Sequence, residues 1–238
     1  MLYFLSMEKV VAVMVGDPAG GGEALRERLL GPAADELRRR GASRLQFNVV
    51  DPSLGHPHAV APDPNVPHVG ATLSYWVAAA GEVGLHAECL PVDDGWEWDA
   101  YLVSESLQLH GPPPPADGAR CSGFTQIVPL TVPPALSWAE WRRRWQGEHT
   151  RVAVETQSSF RYVQNLVVRP LNEGAPGFAA IVEESFPLAA ASDPAVFYDS
   201  EGDDAKFQAN LTRMMDSCAR FIHGAVPIAW TAEYRPHD

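Results

Sequence analysis

Cysteine is scarce. Cys89, Cys121 and Cys218 are three in 238 residues, far apart and without C-x-x-C spacing. That excludes a disulfide framework and a zinc knuckle, and it points to a reducing compartment. Positive charge is scarce too. Eighteen Lys and Arg face thirty Asp and Glu, a net charge of −12, so the basic surface that nucleic acid needs is missing and no nucleic-acid partner is expected. One basic cluster, Arg142-Arg143-Arg144, lies on a helical pattern where successive residues point apart, and reads as a solvated face. No apolar run approaches the ~18 residues of a membrane span. The apolar residues 2–5 are too few, and lack a basic lead, for a secretory signal, while Met7 offers an alternative start. No membrane partner and a cytoplasmic location are expected. Gly20-Gly21-Gly22 forms no phosphate fingerprint and reads as a loop. His56, His58 and His68 sit in a proline-rich stretch with no carboxylate at diagnostic spacing, so no metal site is expected.

What is present is a succession of short strands and helices. Apolar or alternating runs predict strands at 10–15, 44–50, 69–80, 96–109, 124–132, 159–169, 178–186 and 228–234. A helix is predicted over 23–40, with Gly31-Pro32 interrupting it, and a short one near 83–89. Ser137 followed by Glu140 is a capping-box pattern that opens a helix to about 155. Asp203 or Asp204 opens another, marked by Phe207, Leu211, Met214, Cys218 and Phe221 at three- and four-residue steps. Residues 111–122, with four successive prolines, read as a linker. The chain then divides into 7–110 and 123–238, each with a β-α-β-β-(α)-β order. The expected fold is α+β: two tandem ferredoxin-like βαββαβ units packed sheet to sheet as an intramolecular barrel. Such a barrel core can hold a small ligand.

The chemistry concentrates in 137–186. Trp141, Trp145 and His149 recur at four-residue steps and share a helix face. His149 is either a general base or a structural imidazole buried beside Trp145. On the next strand Phe160, Tyr162 and Gln164 share a face whose mixed polarity suits a barrel cavity. Tyr162 is either a hydrogen-bond donor to a substrate oxygen or a core tyrosine. Glu183 and Glu184 point to opposite faces, and Glu184 shares its face with Phe186. Its carboxyl is either a base or orienting group with a raised pKa, or a partner of Arg161 or Arg169.

Residues 123–238 resemble an EthD-type domain of the dimeric α+β-barrel superfamily. The likeness rests on Ser137-Trp138-x-x-Trp141-x-x-x-Trp145-x-x-x-His149, Tyr162-Val163-Gln164-Asn165, Ile181-Val182-Glu183-Glu184-x-Phe186-Pro187, and Met214, Met215 and Phe221. Residues 7–110 share only the element order and look like a degenerate repeat. The resemblance implies a hydrophobic, aromatic or polyketide-like substrate and proton-transfer chemistry of a lyase, isomerase or cyclase. His149 would be general base, with Tyr162 and Glu184 assisting and Trp145, Phe160, Gln164 and Phe186 lining the substrate site. It implies no cofactor, haem on His149 being the lesser alternative. A binding or carrier protein and a cofactor-free monooxygenase stay open, as does a further homodimer.

Overall fold

The computed structural model describes residues 7–16, 23–55, 68–82, 89–90, 96–116 and 118–236. Eight strands are formed: β1 (Glu8–Gly16), β2 (Ser43–Val50), β3 (His68–Val77), β4 (Trp96–His110), β5 (Phe124–Leu130), β6 (Arg161–Pro170), β7 (Ala180–Phe186) and β8 (Ala229–Tyr234). They close into one antiparallel barrel in the order β1-β3-β2-β8-β5-β7-β6-β4. The first four strands are contiguous and so are the last four, with seams at β2–β8 and β4–β6. Closure leaves no sheet edge to cover.

Among the described residues, three helices longer than two turns pack outside the barrel. α1 (23–39) buries Leu25, Leu29 and Leu37 on one face. Gly31-Pro32 does not interrupt it as expected. The chain passes through a π-type segment, Leu29–Ala33, with Pro32 inside, and the wider turn accommodates the missing N–H. α2 (138–156) starts as expected: Ser137 Oγ accepts from the Glu140 backbone N–H at 3.2 Å. The Glu140 carboxylate pairs with Arg143 and Arg144, which accounts for two members of the basic run. α3 (Asp204–Cys218) is capped by Asp203, whose carboxylate accepts from the Lys206 N–H at 2.9 Å. Between β3 and β4 the described residues carry one turn of 3-10 helix, Ala80–Glu82. The predicted helix near 83–89, the triple glycine, His56 and His58 fall outside the described residues, apart from Cys89. His68 opens β3 and does not sit in a loop.

Strand alternation gives the wall two unlike faces. The outer face of β1–β4 meets α1 through Val10, Ala12, Met14, Phe47, Leu73 and Tyr75. The outer face of β5–β8 meets α2 and α3 through Phe124, Val128, Val182 and Phe186 against Trp141, Trp145, Met214 and Phe221. The inner face combines Val11, Val13, Tyr101, Val103, Ile127 and Ile181 with charged groups that bond across the lumen. Gln46 on β2 donates to Glu183 on β7 at 2.7 Å, and these strands are not neighbours. Glu183 also accepts from Asn165 at 2.8 Å and Arg161 at 3.1 Å, with Lys9 Nζ 3.6 Å away. Lys9 in turn donates to Asn165 at 2.8 Å and to Glu105. Six side chains, charges of both signs among them, thus fill space that the sequence reading gave to a ligand.

Candidate functional site

The residues singled out in 137–186 gather on the other side of the wall, under α2 and α3. A cavity of ≈ 140 Å³ lies there, lined by His149, Tyr162, Glu184 and Trp145 among mostly apolar side chains. Tyr162 was expected to face the barrel lumen. It faces the helices, because the lumen parity on β6 belongs to Arg161, Val163 and Asn165.

The sheet register sets the cavity floor. Tyr162 on β6 pairs with Glu184 on β7, Glu184 pairs with Gln126 on β5, and Gln126 pairs with Trp230 on β8. All four side chains point to the same face and line the cavity. Glu184 is 7% exposed. Its one hydrogen bond among the described residues comes from Gln126 Nε2, at 3.3 Å. Among the described residues no cation pairs with it; of the two arginines expected as partners, Arg161 bonds Glu183 on the opposite face and Arg169 makes no ion pair with Glu184. Burial therefore pushes its carboxyl up to about 7, against the opposing hydrogen bond from Gln126.

The opposite wall comes from α2. Its middle is a second π-type segment, Arg143–His149. The i→i+5 turn keeps residues four apart more nearly in line than an α-turn does. Trp141, Trp145 and His149 are accordingly all buried, and the two indoles pack 4.9 Å apart. His149 Nδ1 lies 2.9 Å from Ser217 Oγ on α3, and the ring packs 4.6 Å from Phe221. Burial lowers the imidazole to about 4, so it is neutral at neutral pH. The Tyr162 phenol is raised by burial and by Glu184; Gln164 donates to its oxygen at 3.0 Å. Cys218 and Tyr198 complete the titratable lining, each pushed up by burial to about 12.

Of the seven residues expected in a site, Trp145, His149, Tyr162 and Glu184 meet around this cavity. Gln164 lies behind Tyr162, donating to both Tyr162 and Thr150. Phe186 is fully buried, stacked between Phe124 and Phe197. Phe160 instead borders a second cavity of ≈ 130 Å³ at the barrel end, with Pro112–Pro115 and Arg161. Gln126 and Trp230 were not anticipated. They lie on strands remote in sequence from β7, and only the barrel register makes them its neighbours.

No family model and no curated protein matches the chain. Solved structures do. An anthrone oxidase-like protein superposes with a TM-score of 0.53 at 12% identity, covering 97% of this chain and 92% of its own. The fold they share is a closed antiparallel barrel of eight strands with helices outside it. Chlorite dismutase from Candidatus Nitrospira defluvii, in complex with imidazole, shares this barrel with a TM-score of 0.50 at 10% identity, covering 97% of this chain and 91% of its own. At such identities the likeness to other α+β barrels carries the fold alone.

A haem bound through His149 does not fit the residues present. The ≈ 140 Å³ beside it is below the ~300–1,000 Å³ of ordinary ligand pockets. The described residues hold no group of three or more metal-ligating side chains, and no described helix is long and apolar enough to cross a membrane.

Proposed function

We propose that the chain is an enzyme that moves a proton on a small hydrophobic molecule, with Glu184 as the acid–base group. One observation carries this reading: a lone buried carboxyl, raised to about 7, faces an otherwise apolar cavity. A catalytic group works best with a pKa near the working pH, so that it both takes and returns a proton. His149, lowered to about 4, is the weaker base. The role first expected of it passes to Glu184. The imidazole stays neutral and offers a hydrogen bond from the opposite wall. Tyr162 fixes one end of the floor.

Size narrows the substrate. A cavity of ≈ 140 Å³ is close to the ~150 Å³ that admits benzene in another protein. A single-ring aromatic or similar compound fits, and a fused-ring polyketide does not without an opening at half-exposed Met215 on the lining. Lyase, isomerase and cyclase reactions all begin with such a proton transfer. The reading of 7–110 and 123–238 as tandem ferredoxin-like units is supported by the strand orders β4-β1-β3-β2 and β8-β5-β7-β6. The EthD-type reading of 123–238 is supported by Trp141, Trp145 and His149 sharing one buried helix face.

A second reading, a cofactor-free monooxygenase, is favoured by the anthrone oxidase-like neighbour. It shares the first step, since removing a proton from an activated ring gives the electron-rich species that oxygen accepts electrons from. One experiment separates these readings from a carrier. Single-ring phenols and enolisable ketones are screened by thermal shift, and the binders are incubated in D₂O. Carbon-bound deuterium appearing in wild type and lost at least ~100-fold in Glu184→Gln supports proton transfer. Oxygen uptake alongside it supports the monooxygenase. Binding with neither identifies a carrier and overturns both.

A further inference from the structure

We propose that Gln126 is a positioning residue that keeps Glu184 able to ionise, and that the Trp230 indole fixes which end of the Gln126 amide faces the carboxyl. The inference rests on the reading of Glu184 as the acid–base group.

The geometry is a relay across three adjacent strands. Trp230 Nε1 donates to Gln126 Oε1 at 3.0 Å. Gln126 Nε2 donates to Glu184 Oε2 at 3.3 Å. The register places Gln126 directly beside both partners. An indole N–H can only donate, and an amide has one accepting and one donating end. Once Oε1 is taken by Trp230, the donating end must face Glu184. The amide rotated end for end would set its N–H₂ against the indole N–H, donor to donor, and its oxygen against the carboxyl.

That orientation matters to the proton. A donor aimed at a carboxyl favours the ionised form, whereas an acceptor favours the acid. Among the described residues Gln126 is the one donor to Glu184, so the relay is what opposes its apolar surroundings. Among the described residues lining the cavity, no charge competes with it. Tyr162 from β6, His149 from α2, Cys218 from α3 and Tyr198 from the turn after β7 line the same cavity, and each is uncharged at neutral pH. Without the relay the carboxyl would stay protonated over most of the neutral range and could serve as an acid but not as a base.

The test reads Glu184 without any substrate. Protein labelled with ¹³C at the glutamate carboxyls is titrated by NMR, and the Glu184 signal is assigned by its absence in Glu184→Gln. Gln126→Met removes the donor, and Trp230→Phe frees the amide to rotate. Each single variant is expected to raise the Glu184 midpoint by about one pH unit. The double variant is expected to move it no further than Gln126→Met does. An unmoved midpoint in folded Gln126→Met overturns the relay, and so do additive shifts in the double variant. If Trp230→Phe does not fold, Gln126→Met alone decides. The titration and the deuterium assay fail separately. A moved midpoint in a protein without turnover sinks the enzyme reading alone. Turnover that depends on Glu184 with an unmoved midpoint sinks the relay alone.

Discussion

Glu183 and Glu184 are neighbours in sequence, equally buried, and chemically opposite. Glu183 points into the barrel, where Gln46, Asn165 and Arg161 donate to it and Lys9 stands near. These groups hold its carboxylate well below the usual range despite complete burial. Glu184 points under the helices, has one amide for company, and is pushed up to about 7. Burial is common to both and so does not distinguish them. The difference is the number and charge of the donors that each face of the strand supplies. The donor-rich carboxylate ties the two halves of the barrel together. The donor-poor one is left free to exchange a proton.

The largest effect should come from breaking the inner side of this contrast. Glu183→Gln removes the carboxylate that Arg161 and Lys9 share, both buried at 7% and 3% exposure, and leaves them only Glu233 at 3.6 Å and Glu105 respectively, so the figure for a stranded charge is an upper bound. Removing one partner of a buried ion pair costs about 3–5 kcal/mol. Urea unfolding at pH 7 should show a loss of up to that size. A loss under about 1 kcal/mol would mean that hydrogen bonds, which glutamine can keep in part, hold the barrel interior and charge does not.

The outer side of the contrast shows in pH dependence. Glu184 has a higher pKa folded than the usual carboxyl value of 4.5, reaching about 7. Its contribution is full below pH 4.5 and is lost as pH rises through 7. His149 has a lower pKa folded than the usual imidazole value of 6.5, about 4. Its contribution is full above pH 6.5 and is lost as pH falls through 4. Each is worth about 3 kcal/mol over its window at ~1.4 kcal/mol per unit. Between pH 4.5 and 6.5 the two slopes oppose, so wild-type stability hides both. Glu184→Gln should gain on wild type as pH rises from 4.5 to 7, and His149→Gln should gain on it as pH falls from 6.5 to 4. Stability curves measured across this range check both signs. A Glu184→Gln difference that does not change with pH would place the carboxyl in contact with water.

Much of this arrangement is written in local pattern. The caps at Ser137 and Asp203, the period of α3 and the alternation of β7 follow from nearest neighbours in the chain, and so does the fact that Glu183 and Glu184 part ways. Which of them meets Arg161 does not. That depends on β6 and β7 pairing Tyr162 with Glu184, so that Arg161 takes the lumen parity. The assignment of Tyr162 to the lumen failed for the same reason: mixed polarity on a strand face is compatible with either side of a barrel wall. Gln126 and Trp230 carried no local signal at all. The survival of α1 through Pro32 was also hidden, because a π-type turn is selected by packing of Leu29 and Ala33 against the sheet and not by helix propensity.

A third carboxylate sharpens what the other two teach. Glu155 on α2 has a closer cation than Glu183 has: Arg213 of α3 lies 2.5 Å away, with Arg151 at 3.9 Å. Both partners of the nearer pair are about half exposed, however, at 47% and 48%. Water already solvates these charges, and holding two long side chains together costs entropy, so exposed pairs contribute about 0–1 kcal/mol. Glu155→Gln should therefore change unfolding free energy by less than 1 kcal/mol, and the small effect should shrink further in 1 M salt. The same substitution at Glu183 should be several times larger and nearly indifferent to salt. If both respond equally to salt, the barrel interior admits solvent, and donor count alone cannot explain why Glu183 stays ionised while Glu184 does not.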